Sequence, residues 1–220
     1  RRLLLDSQVA QHEFAMYYLT DSYTARNLVV DLRGTVFPDE VVVLSAHLDS
    51  ISGSPWMDAP GADDNASGAA ALLEAARLLR NGRFKHSIRL IWFTGEEQGL
   101  KGSYAYVNDP AVDISQIVGV VNLDMFGYDA DGDRCFELHV GTLPASNTVG
   151  QCITSAINGY SLGLNYDYIT DGATGASDHA AFWTKNIGAV EVLENYFSNQ
   201  LERGCTGTDI NPNYHRVTDT

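Results

Sequence analysis

Apolar residues fall along this chain in short runs rich in valine, isoleucine and leucine, separated by stretches where they recur at helical spacing. The runs, each bounded by polar or glycine-rich punctuation, predict strands at residues 27–32, 41–46, 88–93, 117–123, 136–140 and 189–193. Residues 67–79 are apolar on every side and read as a buried helix. Residues 99–107 and 148–157 read as further helices, and 178–184 as a short one. Near-continuous apolar strands alternating with helices belong to sheets covered on both faces. The predicted fold is therefore α/β, a single domain with a mostly parallel mixed central sheet and helices on both sides. Gly- and Asp-rich stretches at 50–65, 127–133 and 171–177 fill the gaps. In open sheets of this kind ligands bind beyond the carboxyl ends of the strands, so chemistry is sought there.

Composition supports one domain over residues 1–220. With 220 residues, 45% apolar and 19% charged, the chain can bury a sizeable core. It holds no run of about 18 apolar residues, the length that spans a membrane. The opening Arg1-Arg2-Leu3-Leu4-Leu5 stops at Asp6, short of a signal peptide's apolar core, so the sequence reads as mature or trimmed. The formal net charge is −14, from 28 acidic and 14 basic residues. That argues against nucleic acid or an anionic membrane as partner. Cys135, Cys152 and Cys205 have no metal-ligand spacing and read as buried or free thiols, with one disulfide and one spare thiol as the alternative.

The predicted strands converge on metal-type residues. Residues 41–46 run into His47-Leu48-Asp49, 88–93 into Thr94-Gly95-Glu96-Glu97, and 117–123 into Asp124, while the loop at 50–65 delivers Asp63-Asp64 to the start of the buried helix. Gathering Asp64, Glu96, Glu97 and Asp124 near one point is unfavourable without cations, because like charges raise one another's pKa. Imidazole with carboxylates suits zinc, or manganese or cobalt in its place, whereas calcium and magnesium take all-oxygen sets. One histidine and three carboxylates exceed the needs of one open tetrahedral ion, and a two-metal site uses them if one carboxylate bridges. A second imidazole is available from His179 or His215. His12, His86 and His139 lie outside these acidic strand-end segments and read as structural or surface residues.

Six segments carry a family resemblance: Ser45-Ala46-His47-Leu48-Asp49-Ser50, Pro60-Gly61-Ala62-Asp63-Asp64-Asn65, Thr94-Gly95-Glu96-Glu97-Gln98-Gly99, Asn122-Leu123-Asp124-Met125, Ala176-Ser177-Asp178-His179 and Tyr214-His215-Arg216-Val217-Thr218-Asp219. In order and spacing they resemble the co-catalytic di-zinc exopeptidases typified by bacterial leucyl aminopeptidases and related glutamate carboxypeptidases, from about Asn27 to Thr220. The resemblance implies two zinc ions held by His47, Asp64, Glu97, Asp124 and His215, with Asp64 bridging and the second histidine at His215. It implies Glu96 as general base, Asp49 as the residue orienting His47, and Ser177, Asp178 and His179 as pocket wall. Tyr214 resembles a tyrosine that some members use to stabilise the oxyanion. Others carry one in a disulfide-closed loop before the Ser-Asp-His segment, and here that loop, Gly172-Ala173-Thr174-Gly175-Ala176, has neither tyrosine nor cysteine.

The activity so implied is a zinc-dependent aminopeptidase, hydrolysing the first bond of peptides with a free N-terminus through a water activated by two metal ions. Residues 189–197 fall where such enzymes shape the pocket for the terminal residue. Leu193, Tyr196 and Phe197 point to a broad apolar preference, while Glu191 or Glu194 would favour a basic residue or serve as a supporting acid. The family's closing helix and longer N-terminal segment lie outside the sequence, which implies trimming at both ends. Secretion or an extracytoplasmic site fits the family and the acidic charge; the oligomeric state is open. The nearest rival is a glutamate-type carboxypeptidase or dipeptidase on the same site, which expects arginines for substrate carboxylates; Arg203 and Arg216 are in the neighbourhood. A one-zinc glutaminyl cyclase is disfavoured by the intact His47 and paired glutamates. A catalytically inactive receptor-like domain is disfavoured by the full ligand set, and a serine hydrolase by the lack of a Gly-x-Ser-x-Gly elbow.

Overall fold

The apolar run at 41–46 becomes the middle of the molecule. The computed structural model describes residues 9–196, 205 and 209–220. Its elements are β1 (Ala10–Tyr18), β2 (Asp21–Leu32), β3 (Phe37–His47), α1 (Ala66–Leu79), β4 (His86–Phe93), α2 (Lys101–Asn108), β5 (Ile117–Leu123), β6 (Cys135–His139), α3 (Pro144–Gly159), β7 (Asn165–Ile169), α4 (His179–Trp183) and β8 (Ala189–Glu194). One eight-stranded sheet runs in the order β1-β2-β4-β3-β5-β8-β6-β7. The pairings β3–β4, β3–β5, β5–β8 and β6–β7 are parallel; β1–β2, β2–β4 and β6–β8 are antiparallel. The sheet is thus mixed, with parallel strands at its centre, as the apolar pattern predicts.

The chain passes from β3 through α1 to β4 on one side, then through α2 to β5 on the other. That reversal opens a crevice beside the carboxyl end of β3, where open α/β sheets bind ligands. Side chains alternate between the two faces. Val30, Ala46, Leu90 and Trp92 pack with Leu72 and Ala76 of α1, and Leu138, Val140 and Val190 pack with Val149 and Ile153 of α3. On the opposite face Val41, Val43, Ile91 and Phe93 pack with Tyr106 and Val107 of α2 and Phe182 of α4. Towards the strand ends this second face turns polar: His47, Asn122, Glu137, His139 and Glu191 are all buried. Backbone alternation alone therefore aims the chemistry at the α2–α4 side.

Four features differ from the sequence expectations. β1 and β7 are extra strands, and β2 begins at Asp21. β1 and β7 lie at the sheet's edges, so Ala10–Tyr18 and Asn165–Ile169 mix polar and apolar residues and show no apolar run. α3 starts earlier, with Pro144 in its first turn, where a missing N–H costs nothing. Cys135 and Cys205 form a disulfide, leaving Cys152 free and exposed; the free-thiol reading fails for this pair because the fold closes a separation of 70 residues.

Candidate metal centre and active site

His47 closes β3, Asp124 follows β5, and Asp64 lies at the head of α1, so three separate elements deliver the first group of donors. His47 Nδ1 donates to the main-chain carbonyl of Asp49 at 2.9 Å, which turns Nε2 toward the carboxylates. Nε2 lies 3.1 Å from Asp124 Oδ1 and 3.3 Å from Asp64 Oδ1. The other oxygen of Asp64, Oδ2, lies 3.0 Å from His215 Nε2, which is also 3.2 Å from Glu97 Oε2. Two trios result, His47–Asp64–Asp124 and Asp64–Glu97–His215, each with its donor atoms within 4.8 Å of one another. They share Asp64, one oxygen to each. Glu96 belongs to neither and stands with Oε2 4.0 Å from His47 Nε2.

The donor set fits a pair of transition-metal ions. Two ligands bound at about 2.0–2.1 Å to one tetrahedral ion stand about 3.3 Å apart, close to the separations within each trio. Each trio offers one imidazole and two carboxylates, the mixture that suits zinc. Glu97 Oε1 is buried without a hydrogen-bond partner, which marks a donor held for something other than protein.

The electrostatics agree. Burial disfavours the charged form of His47, but the Asp124 and Asp64 carboxylates overcome it and raise its pKa well above normal. Hydrogen bonds to Asp64 and Glu97 raise His215 to about 9. Burial would raise Asp64, yet its bonds to His215 and His47 lower it. Burial pushes Glu96 up to about 10, opposed by His47 and reinforced by Asp124, Asp178 and Glu97, and also raises Glu97. Without a cation, protons must take up the charge of this cluster.

The supporting shell departs from the sequence reading in two places. Asp49 meets His47 through its carbonyl, because its carboxylate is 3.8 Å away from Nδ1 and is occupied elsewhere. It accepts from the backbone N–H of Gly95 at 2.9 Å and of Glu96 and Glu97 at 3.1 Å each. Gly95, at φ 80°, supplies the left-handed step this turn requires. The second departure is the wall: Thr174, Gly175 and Ala176 line the cavity, while Ser177, Asp178 and His179 sit behind it. Ser177 Oγ donates to Asp124 Oδ2 at 2.5 Å and accepts from Asn122 Nδ2 at 2.8 Å. Burial pushes Asp178 up to about 7. His179 is fully buried, 3.0 Å from the Thr174 carbonyl, and joins neither trio. Tyr214 stacks on His215 with ring centroids 3.8 Å apart and lines the cavity. The Phe197 and Arg203 expectations lie outside the described residues. Arg216 is exposed and does not line the cavity. His12, His86 and His139 meet acids in space (Asp109, Glu40 and Glu137), not the metal-type trios, and remain structural.

Sequence reasoning gave no task to Asp219, though it stands in the quoted Tyr-His-x-x-x-Asp segment. Buried, it accepts from the backbone N–H of Asp63 at 3.0 and 3.2 Å and of Asp64 at 3.1 Å, tying the His215 segment to the loop that carries Asp64. Asp63 points away from the trios, accepting from Gly127 N at 2.8 Å and Asn211 Nδ2 at 2.7 Å. The cavity over the trios has a volume of about 400 Å³, and among the described residues neither lysine nor arginine lines it.

The model of Peptidase family M28 matches residues 27–220. Leucine aminopeptidase 2 of Trichophyton rubrum is 29% identical over 214 residues, covering 92% of this chain and 41% of that protein. A probable lipoprotein aminopeptidase of Mycobacterium tuberculosis, LpqL, is 30% identical over 217 residues, covering 91% and 42%. The zinc aminopeptidase BSAP of Bacillus subtilis superposes with a TM-score of 0.70 at 27% identity, over 91% of this chain and 46% of that one. The chain thus spans less than half the length of these relatives. The match to the family model covers most of its length, all six motif segments included, and the chain belongs to Peptidase family M28.

Proposed function

We propose that this chain carries the catalytic centre of a zinc-dependent aminopeptidase that removes the N-terminal residue of peptides. The carrying observation is the pair of trios sharing Asp64, with Glu96 beside them and outside both. On this reading His47, Asp64 and Asp124 hold one zinc ion and Asp64, Glu97 and His215 the other. Bound there, the ions supply Lewis acidity and lower the pKa of water.

The protein's own groups do the rest. Glu96 takes the proton of the attacking water and returns it to the leaving amine. Asp49, by fixing the turn at residues 95–97, keeps the Glu96 and Glu97 side chains on separate tasks. Tyr214, on the cavity wall, donates its O–H to the developing oxyanion. The acidic lining, free of lysine and arginine among the described residues, suits a substrate's free α-ammonium better than a C-terminal carboxylate. That disfavours the carboxypeptidase reading, and the complete trios disfavour an inactive domain.

A disulfide and a strongly acidic surface fit a secreted or extracytoplasmic protein. Among the described residues no helix is long and apolar enough to cross a membrane. The test is metal analysis of the purified protein together with hydrolysis of aminoacyl and N-blocked chromogenic amides. About two zinc ions per chain and cleavage of unblocked amides alone are expected. Equal cleavage of blocked substrates would overturn the aminopeptidase assignment.

A further inference from the structure

Behind the trios the cavity runs along β8 to Glu191, a residue with which the metal chemistry has no business. Glu191 pairs in register with Asn122 of β5, one strand over and two residues back from Asp124. Strand spacing and rise place their Cα atoms roughly 8 Å apart on the same face of the sheet. The cavity between them is walled by Met125, Leu193, Tyr196, Thr174, Gly175 and Ala176. Its walls are apolar or small, and its floor is an acid.

That acid lacks a donor. Glu191 is 2% exposed, and its Oε2 is buried without a hydrogen-bond partner. The nearest imidazole, His179, offers none: its Nε2–H donates to the Thr174 carbonyl at 3.0 Å, so Nδ1 carries a lone pair. Nδ1 has no partner either, and it faces Glu191 Oε2 at 3.7 Å. Glu191 Oε2 therefore stands at the end of the cavity with no donor among the described residues, backed by a buried imidazole that supplies none. Burial, then the negative charge of Asp124, Glu137 and Asp178, raises the pKa of Glu191 well above the usual carboxylate range, so the pocket holds it protonated and a cation entering beside it takes the place of that proton. A buried oxygen left without a hydrogen bond is costly, so a cationic group that donates here is strongly selected.

We infer that Glu191 makes this cavity a pocket for a basic terminal side chain, lysine or arginine. The methylene stem packs along Met125, Leu193 and Tyr196 while the cationic head donates to the Glu191 carboxylate. This assigns a preference opposite to the broad apolar one expected from Leu193 and Tyr196, which become the walls of the pocket. The inference rests on the aminopeptidase reading for the placement of the terminal residue in this cavity.

The test compares two side chains with the same four-carbon stem, one of which ends in an ammonium group. On the zinc-loaded protein, kcat/KM is measured for L-lysyl, L-arginyl, L-norleucyl and L-leucyl p-nitroanilides. Binding of free L-lysine and L-norleucine is measured by calorimetry. Lysine is expected to exceed norleucine by about tenfold or more in both measurements. In Glu191→Gln, which keeps shape and loses charge, the lysine-to-norleucine ratio is expected to fall by about the same factor. Norleucine equal to or better than lysine in the unmodified protein would overturn the inference, whether or not the variant folds. Failure to cleave any unblocked amide would instead sink the aminopeptidase reading, and the calorimetric ratio would still judge the pocket.

Discussion

Glu96 and Glu97 are adjacent in sequence and unlike in task. Glu97 points Oε2 to within 3.2 Å of His215 Nε2, whereas Glu96 stays 4.0 Å from His47 Nε2 and in neither trio. The divergence is imposed from outside, by the Asp49 carboxylate gripping three consecutive backbone N–H groups. Replacing Glu96 by Gln keeps size and removes the base. The expected outcome is normal zinc content by elemental analysis with kcat reduced about 10²- to 10⁴-fold. Glu97→Gln should lose zinc as well. Unchanged turnover in Glu96→Gln would remove that residue from the role. The paired glutamates were legible because no solvated turn explains three strand ends and a loop converging on metal-type residues. The true partner of Asp49 was not, since a sequence cannot distinguish a carbonyl that orients from a carboxylate that does.

At the scale of elements the buried strands were legible and the edge strands were not. The runs at 41–46, 88–93 and 189–193 lie in β3, β4 and β8, which have neighbours on both sides and so show in the pattern. Asn65 caps α1 by accepting from Gly68 N at 3.0 Å, which leaves Asp64 to the trios. Asn65 Nδ2 also donates to the Leu123 carbonyl at 2.9 Å, joining α1 to the strand that delivers Asp124. Gly68 permits this approach: a Cβ there would lie 2.6 Å from Leu123 O and strike the Asn65 side chain. Alanine normally favours a helix by about 1 kcal/mol, but here overpacking costs about 1–3 kcal/mol. Gly68→Ala is therefore expected to be destabilised in urea unfolding and to bind zinc more weakly. Gly159→Ala, at the end of α3 with nothing within 4 Å, should lose no stability. Equal behaviour of the two variants would refute the role given to this contact.

For the molecule as a whole the governing fact is negative charge, −14 formally, and among the described residues the crevice is lined by Asp64, Glu96, Glu97, Asp124 and Glu191 with neither lysine nor arginine. In the metal-free protein, protons substitute for cations. Hydrogen bonds to Asp64 and Glu97 raise His215 to about 9, and burial raises Glu96 and Glu194 to about 10. Each group therefore holds more protons folded than unfolded, and by linkage the unfolding free energy falls as pH rises. The histidine contribution is complete below its unfolded pKa near 6.5 and lost through about 9; the glutamates act in the same sense from 4.5 to about 10. Asp64, whose pKa is lowered, has the opposite sign, but its window lies below the ordinary aspartate value of 3.8. Zinc reverses the slope, because the donors bind it deprotonated and its affinity grows with pH. Thermal unfolding at pH 6, 7 and 8, with zinc and with a chelator, should show the chelated protein weakening and the gap widening. At about a thousandfold excess over Kd the gain of about 4 kcal/mol corresponds to roughly 10 °C. Salt should raise the chelated midpoint more than the loaded one, by screening the same acids. A gap that stayed constant or narrowed with pH would mean that the carboxylates of this crevice do not meet around metal.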